Sequence, residues 1–226
     1  MKVLVLSPHP DDETLGCGAT MTRLADERHE VVVGLITGFG EGADHPLYPR
    51  EGFDLVQAEL QAACDVMGVS RIVKANLPTV LLPDLPRHVL NKAVLDLVEG
   101  VGPDALFVPF PLDLHGDHRE IFHAASVAWR PYLPLGRTIR DVYCYEVPSE
   151  THLNIPYVEQ GFIPNTFFDV SAQVDRKIKA FECFRTQVQQ APMPRSPEAL
   201  RALAVYRGSQ IGVAAAEAFV SVRSLR

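Results

Sequence analysis

Two short segments of the chain concentrate side chains that bind metals and move protons: Ser7-Pro8-His9-Pro10-Asp11-Asp12-Glu13 and Asp113-Leu114-His115-Gly116-Asp117-His118. Imidazole nitrogen with carboxylate oxygen is the ligand set of a catalytic zinc, which takes three protein ligands and keeps a position for water; related divalent metals accept the same donors. His9 and Asp12 stand three residues apart on a tight turn and can reach one ion. Asp11 between them points elsewhere and is free to take a proton from an activated water. In the second segment His118 can complete the ligand set, while His115 stays uncoordinated. An imidazolium at His115, held by Asp117, would stabilise an oxyanion or protonate a leaving amine.

Each acid also has a structural alternative. Asp11 or Asp12 could cap a helix that begins near Thr14, and Asp117 followed by Glu120 has the spacing of a capping box. Gly16-Cys17-Gly18 opens like a dinucleotide-binding turn, but the third fingerprint position is Met21 and the carboxylates upstream would repel a pyrophosphate. Close helix-to-sheet packing is the expected reason for those glycines. His29, His45, His88, His123 and His152 have no carboxylate company and read as surface or partly buried residues.

The elements that must hold the two segments can be read from hydrophobic period. Short β-branched runs at 3–6, 31–37, 71–74, 105–110, 139–145 and 166–170 are almost continuously apolar, as in strands buried on both faces of a parallel sheet. Between them Val56, Leu60, Ala63 and Met67, then Leu90, Ala93 and Leu97, then Ile121, Ala125 and Ala128 recur at helical spacing. This alternation predicts an α/β fold: a Rossmann-like, doubly wound, mostly parallel sheet with helices on both faces. Ligands then sit beyond the carboxyl ends of the strands, where both segments fall. Residues 146–165 read as a long loop, followed by a strand, a helix bearing Ile178, Phe181, Phe184 and Val188, and a further helix started by Ser196-Pro197-Glu198. No linker, repeat or low-complexity tract divides the chain, so 1–226 is expected to be a single domain.

Composition bounds the function classes. The 226 residues are 47% hydrophobic, and 28 acidic against 21 basic side chains give a formal charge of −7. This balance disfavours nucleic acid and anionic lipid as partners. No apolar stretch reaches the roughly 20 residues of a membrane span, and without a cleavage signal after Met1 the expected compartment is cytoplasmic. Cys17, Cys64, Cys144 and Cys183 are scattered, which excludes a thiolate metal cluster.

The paired segments Pro8-His9-Pro10-Asp11-Asp12-Glu13 and Asp113-x-His115-x-Asp117-His118 resemble those of the LmbE/PIG-L family of zinc-dependent N-deacetylases, in the same order and at the same strand ends. Weaker similarity continues through Thr37-Gly38-Phe39-Gly40-Glu41, Glu59-Leu60-Gln61-Ala62-Ala63, Gly102-Pro103-Asp104, Phe168-Asp169-Val170-Ser171 with Lys177, and Ala216-Glu217-Ala218-Phe219. The resemblance implies removal of an N-acetyl group from an amino sugar of the N-acetylglucosamine type, or from its conjugate. It implies Zn2+ on His9, Asp12 and His118, Asp11 as general base, His115 stabilising the transition state, and Asp117 orienting His115. Where relatives carry an Arg before the position of Glu59, this chain has Val56-Gln57-Ala58, and Arg50 could substitute. Asp84 is the nearest carboxylate to the Leu77-Pro78 pair, and Asp113 stands where some relatives have a tyrosine. Arg50, Asp84 and Asp113 are therefore the expected substrate contacts. The loop 38–52, rich in glycine and proline, is placed to wall or cover the pocket. Alternative readings are a deacylase or amidase of a non-sugar amide, and a non-catalytic sugar-binding subunit. Exposed apolar residues in the last third could support a homo-oligomer.

Overall fold

A computed structural model describes residues 1–226 except 41–44 and 156. The strands are β1 (Lys2–Ser7), β2 (Glu30–Gly38), β3 (Arg71–Pro78), β4 (Ala105–Pro109), β5 (Asp141–Tyr145), β6 (Thr166–Asp169) and β7 (Ala216–Ser224). The helices are α1 (Asp12–Asp26), α2 (Arg50–Met67), α3 (Arg87–Val101), α4 (Gly116–Ala125), α5 (Pro134–Thr138), α6 (Val174–Phe181) and α7 (Pro197–Ser209). One seven-stranded sheet has the order β3-β2-β1-β4-β5-β7-β6. The first five strands pair in parallel, and β7 runs antiparallel to both β5 and β6. The expected doubly wound α/β architecture is thus what the chain adopts.

The apolar runs explain the layers. In β1, Val3 and Val5 belong to a core shared with α1, α2 and α6, whereas Leu4 and Leu6 belong to one shared with α3 and α4. Both faces of the central strand are therefore sealed, which is why it shows no polar alternation. Gly16 has a packing reason: a Cβ there would lie 2.3 Å from a ring carbon of Tyr145, whose hydroxyl donates to the Leu6 carbonyl at 2.7 Å. The glycine lets α1 settle against the sheet, as the sequence predicts. No helix among the described residues is long and apolar enough to cross a membrane.

Several elements differ from the sequence reading: α4 ends at Ala125, so Ala128 packs into the core from the following turn, and the short helix α5 was not expected. β3 runs four residues beyond the expected end at Lys74, and its burial is intermittent because it is the sheet edge. The run Ala216–Ser224 is a strand, inserted between β5 and β6. Helix α6 stops at Phe181, so the buried Phe184 and partly buried Val188 pack into the same core from the following turns.

The strand order reverses direction at β1, with β2 on one side and β4 on the other. A crevice opens beyond the carboxyl ends of strands at such a point. The β1–α1 turn carries His9 to Asp12 and the β4–α4 turn carries Asp113 to His118, so the topology brings together segments about a hundred residues apart in sequence.

Candidate active site

The β1–α1 turn is shaped from within by Glu13. Its buried carboxylate accepts from the Ser7 hydroxyl (2.8 Å), the Thr14 hydroxyl (2.6 Å) and the Asp11 N–H (3.2 Å). Asp11 takes the position before α1 with φ 130° and ψ −29°, and its side chain makes no cap hydrogen bond. A non-glycine residue in that region stores of order 1–3 kcal/mol of strain. Asp11 is consequently not a cap; its carboxylate faces the crevice, 3.5 Å from Nη1 of Arg195. Burial first, then the carboxylates of Asp12 and Glu13, push the Asp11 carboxyl well above its ordinary range, against the pull of Arg195 and His9. A carboxylate of raised basicity suits proton abstraction near neutral pH.

His9 Nδ1 lies 3.1 Å and His118 Nε2 3.2 Å from the same Asp12 oxygen, Oδ2. The donor atoms of His9, Asp12 and His118 all fall within 4.8 Å of one another, the spacing needed to hold one ion. The outer nitrogens are engaged elsewhere. His9 Nε2 meets Asp117 Oδ2 at 2.9 Å and His118 Nδ1 meets Asp113 Oδ2 at 2.8 Å. Carboxylates behind ligating histidines fix tautomer and ring orientation in metal sites. The fully buried Nε2 of His118 has no hydrogen-bond partner. This buried nitrogen keeps its lone pair uncommitted 3.2 Å from a carboxylate oxygen, so the donor set fits a divalent metal.

The electrostatics agree. Burial opposes charge on both histidines, but Asp117 and Asp12 raise His9 to about 9, and Asp12 and Asp113 raise His118 to about 10. Burial also opposes charge on Asp12, yet His118 and His9 outweigh it and hold the carboxyl far below its ordinary range. Positive charge is thus favoured on either side of one carboxylate, where a divalent ion would supply it.

His115 is built differently from the sequence reading. Its Nδ1 accepts the backbone N–H of Asp117 at 3.1 Å, making it the N-cap of α4 and leaving its Nε2 as the donor of the neutral ring. Burial, followed by the charges on His9 and His118, lowers it to about 4. A ring nitrogen that accepts an N–H and a lowered pKa both disfavour the imidazolium expected from sequence. Asp117 meets His115 through its main-chain N–H, while its carboxylate accepts from the N–H groups of Val80 (2.7 Å) and Leu82 (3.2 Å). Spacing in sequence does not determine which way that carboxylate turns.

His9, Asp11, Asp12, His115 and His118 line one cavity of about 460 Å³. Asp117 and Asp113 lie behind the histidines, fully buried. Arg50 and Asp84 are not among the lining residues: Arg50 lies 3.9 Å over the Phe39 ring beside a separate surface hollow, and Asp84 is exposed at the end of the 3-10 turn Leu82–Asp84. The expected loop 38–52 is shorter, since Gly38 ends β2 and Arg50 begins α2, and its residues 41–44 lie outside those described. Tyr48 and Pro49 form a cavity wall. His45, buried rather than superficial, holds that wall: Nε2 meets the Thr79 carbonyl at 3.1 Å, and Nδ1 accepts from Leu47 (3.2 Å) and Tyr48 (3.3 Å).

Glu150, Thr186, Gln187 and Arg195 also line the cavity and escaped sequence reasoning. All sit in irregular segments, where no period marks an inward-facing residue. A partial signal exists at Glu59, whose carboxylate accepts the N–H (3.2 Å) and hydroxyl (2.5 Å) of Thr186 and so ties α2 to the far wall.

Residues 4–129 match the family described as PIG-L: GlcNAc-PI de-N-acetylase. The chain is 27% identical over 224 residues to diacetylchitobiose deacetylase of Thermococcus kodakarensis, covering 93% of this chain and 79% of that protein. Among solved structures it resembles N,N'-diacetylchitobiose deacetylase of Pyrococcus horikoshii (TM-score 0.76, 24% identity, 98% of this chain and 84% of that one). It also resembles GalB, a 4-carboxy-2-hydroxymuconate hydratase from Pseudomonas putida (TM-score 0.70, 20% identity, 98% and 95%). The last likeness shows that this fold carries more than one chemistry.

Proposed function

Because the chain belongs to the PIG-L family of de-N-acetylases, we propose that it hydrolyses the acetamide of an N-acetylated amino sugar or its conjugate, with a zinc ion held by His9, Asp12 and His118. The observation that carries this reading is the convergence of those three donors beside a carboxylate, Asp11, that neither caps a helix nor joins the ligand set. When bound, zinc would polarise the carbonyl and make water a stronger nucleophile near neutral pH.

The chain's own residues do the rest. Asp11 removes a proton from the attacking water, whose oxygen bonds to the carbonyl carbon. Negative charge then grows on the former carbonyl oxygen, and the neutral His115 meets it with its Nε2–H, held ready by the Asp117 main chain. The carbon–nitrogen bond breaks as the proton held on the Asp11 carboxyl passes to the departing nitrogen, giving a free amine and acetic acid, which loses its remaining proton to become acetate. Asp113 and Asp117 keep the imidazoles of His118 and His9 in their ligating tautomers.

The test is acetate release. Zinc-loaded protein, its metal content measured, is expected to deacetylate members of a panel of N-acetylated sugars, while His9→Ala loses metal and activity together. No acetate from any substrate, or full metal content in His9→Ala, would overturn the reading.

A further inference from the structure

Among the described residues lining the cavity, two charged side chains lie outside the metal cluster, Asp11 and His115: Glu150 and Arg195. Glu150 sits in the turn after β5, where its N–H donates to the Val147 carbonyl at 2.9 Å and the Val147 N–H donates to the Thr151 hydroxyl at 2.7 Å. The Leu114 N–H reaches the Glu150 carbonyl at 3.5 Å, tying this turn to the segment that carries His115 and His118. The Glu150 carboxylate has no hydrogen bond or ion pair among the described residues, and its charge acts on His118, Asp12, Asp113 and His9.

Arg195 comes from the other side. Its N–H donates to Gln189 Oε1 at 3.3 Å and its carbonyl accepts the Gln189 N–H at 3.0 Å, which closes the loop before α7. Nη1 donates to Gln187 Oε1 at 3.0 Å and faces Asp11 at 3.5 Å. The cavity thus has an acceptor on the His118 side and a donor on the Asp11 side. Tyr48, Phe53, Val56 and Val80 add apolar surface to the same lining, beside the uncharged polar side chains of Gln57, Thr186 and Gln187.

A pyranose matches this distribution, with hydroxyls that both donate and accept around its edge and carbon-bound hydrogens on its face. A carboxylate accepts only and a guanidinium donates only, so ring hydroxyls can satisfy both at once. We propose that Glu150 and Arg195 are the residues that determine specificity for the sugar ring, Glu150 accepting from its hydroxyls and Arg195 donating to an oxygen on the opposite side of the cleft. The proposal rests on the deacetylase reading.

The experiment compares N-acetylglucosamine with N-cyclohexylacetamide, an acetamide on a six-membered ring without hydroxyls, using zinc-loaded full-length protein. Glu150→Ala and Arg195→Ala are each expected to lower the ratio of kcat/KM for the sugar to that for the cyclohexyl amide by about 10-fold or more, chiefly through KM, the scale of one charged hydrogen bond. Glu150→Gln and Arg195→Lys, which keep an acceptor and a donor, recover part of the ratio and control for folding. Calorimetric binding of glucosamine, the product amine, weakens in both alanine variants. An unchanged ratio, equal losses on both amides, or unaltered glucosamine binding overturns the proposal. If neither amide nor any member of the N-acetylated sugar panel is cleaved, the deacetylase reading fails by itself, and the glucosamine titrations still decide whether Glu150 and Arg195 hold the sugar.

Discussion

Asp113 offers the sharpest separation between holding metal and holding substrate. It was an expected substrate contact, yet its side chain is fully buried and its Oδ2 lies 2.8 Å from His118 Nδ1. Asp113→Ala removes the acceptor that fixes the His118 tautomer and leaves Nδ1 buried without a partner. Loss of such a partner weakens metal binding by about 10–100-fold, which is about 1.4–2.7 kcal/mol. Asp113→Asn retains an oxygen that can accept from Nδ1–H, so its loss should be the smaller. Zinc affinity is measured by competition with a chromophoric chelator, and KM for an N-acetylated sugar is then measured at saturating zinc. The expected result is weakened zinc binding with KM within about 2-fold of wild type, since a group that does not touch substrate removes no uniform binding. Zinc affinity equal to wild type together with a raised KM would refute the reasoning and return Asp113 to the substrate.

Three further outcomes follow from the geometry. Asp11→Asn keeps zinc stoichiometry, checked by metal analysis, while kcat falls by about 10²–10⁴-fold, the usual worth of a positioned base; retained turnover would remove Asp11 from the chemistry. Glu217 receives the ammonium of Lys177 at 2.6 Å and the N–H groups of Ala19 (3.0 Å) and Thr20 (2.6 Å) of α1, with both charged side chains buried. Glu217→Ala strands that ammonium and should lower stability by about 3–5 kcal/mol in urea unfolding with an unchanged m-value; a loss below about 1 kcal/mol contradicts this. Burial works against ionisation of Glu146, but His152 and Arg207 overcome it and hold the carboxyl below its ordinary value. Its contribution to stability is therefore complete above the unfolded value of about 4.3 and is lost as pH falls through the lower folded value. Glu146→Gln should lower Tm near neutral pH and flatten its decline below about pH 4; an unaltered acid limb speaks against it.

The cluster of His9, Asp12 and His118 was legible in the sequence because divalent-metal chemistry admits few side chains and because His9 and Asp12 share one turn, so local spacing suffices. The crevice was legible because continuous apolar runs demand a sheet covered on both faces. What the sequence hid depends on side-chain direction over long range. Nothing in the spacing of His115 and Asp117 shows that the Asp117 carboxylate turns to His9, 108 positions away, while its N–H serves His115. The antiparallel strand β7 was hidden for a related reason: its outer half is only partly buried, so the continuous apolar signal fades after Phe219. Glu150 and Arg195 lie in segments whose shape comes from individual hydrogen bonds, which leave no period to read.

A hydratase shares this frame, so the frame by itself cannot choose the reaction; it delivers a crevice at the β1–β4 reversal and leaves chemistry to the turns. In this chain two backbone features shape the turns that carry the proposed base and oxyanion donor. Asp11 is turned out of the capping role by a strained φ of 130°, and the strain persists because its carbonyl accepts the Leu15 N–H at 2.8 Å while its N–H is taken by Glu13. Glu13 in turn is fixed by Ser7 and Thr14, so the proposed base is presented by a buried acid that is not among the cavity's lining residues. On the other side, His115 takes over the cap of α4, which commits Nδ1 to the main chain and leaves Nε2 to donate. Neither helix start is thus an ordinary cap: Asp11 stands at the N-cap position without a side-chain cap bond and His115 caps through its ring, which suits them to the proposed roles of base and oxyanion donor. An amide hydrolase needs both groups, whereas a binding module needs neither.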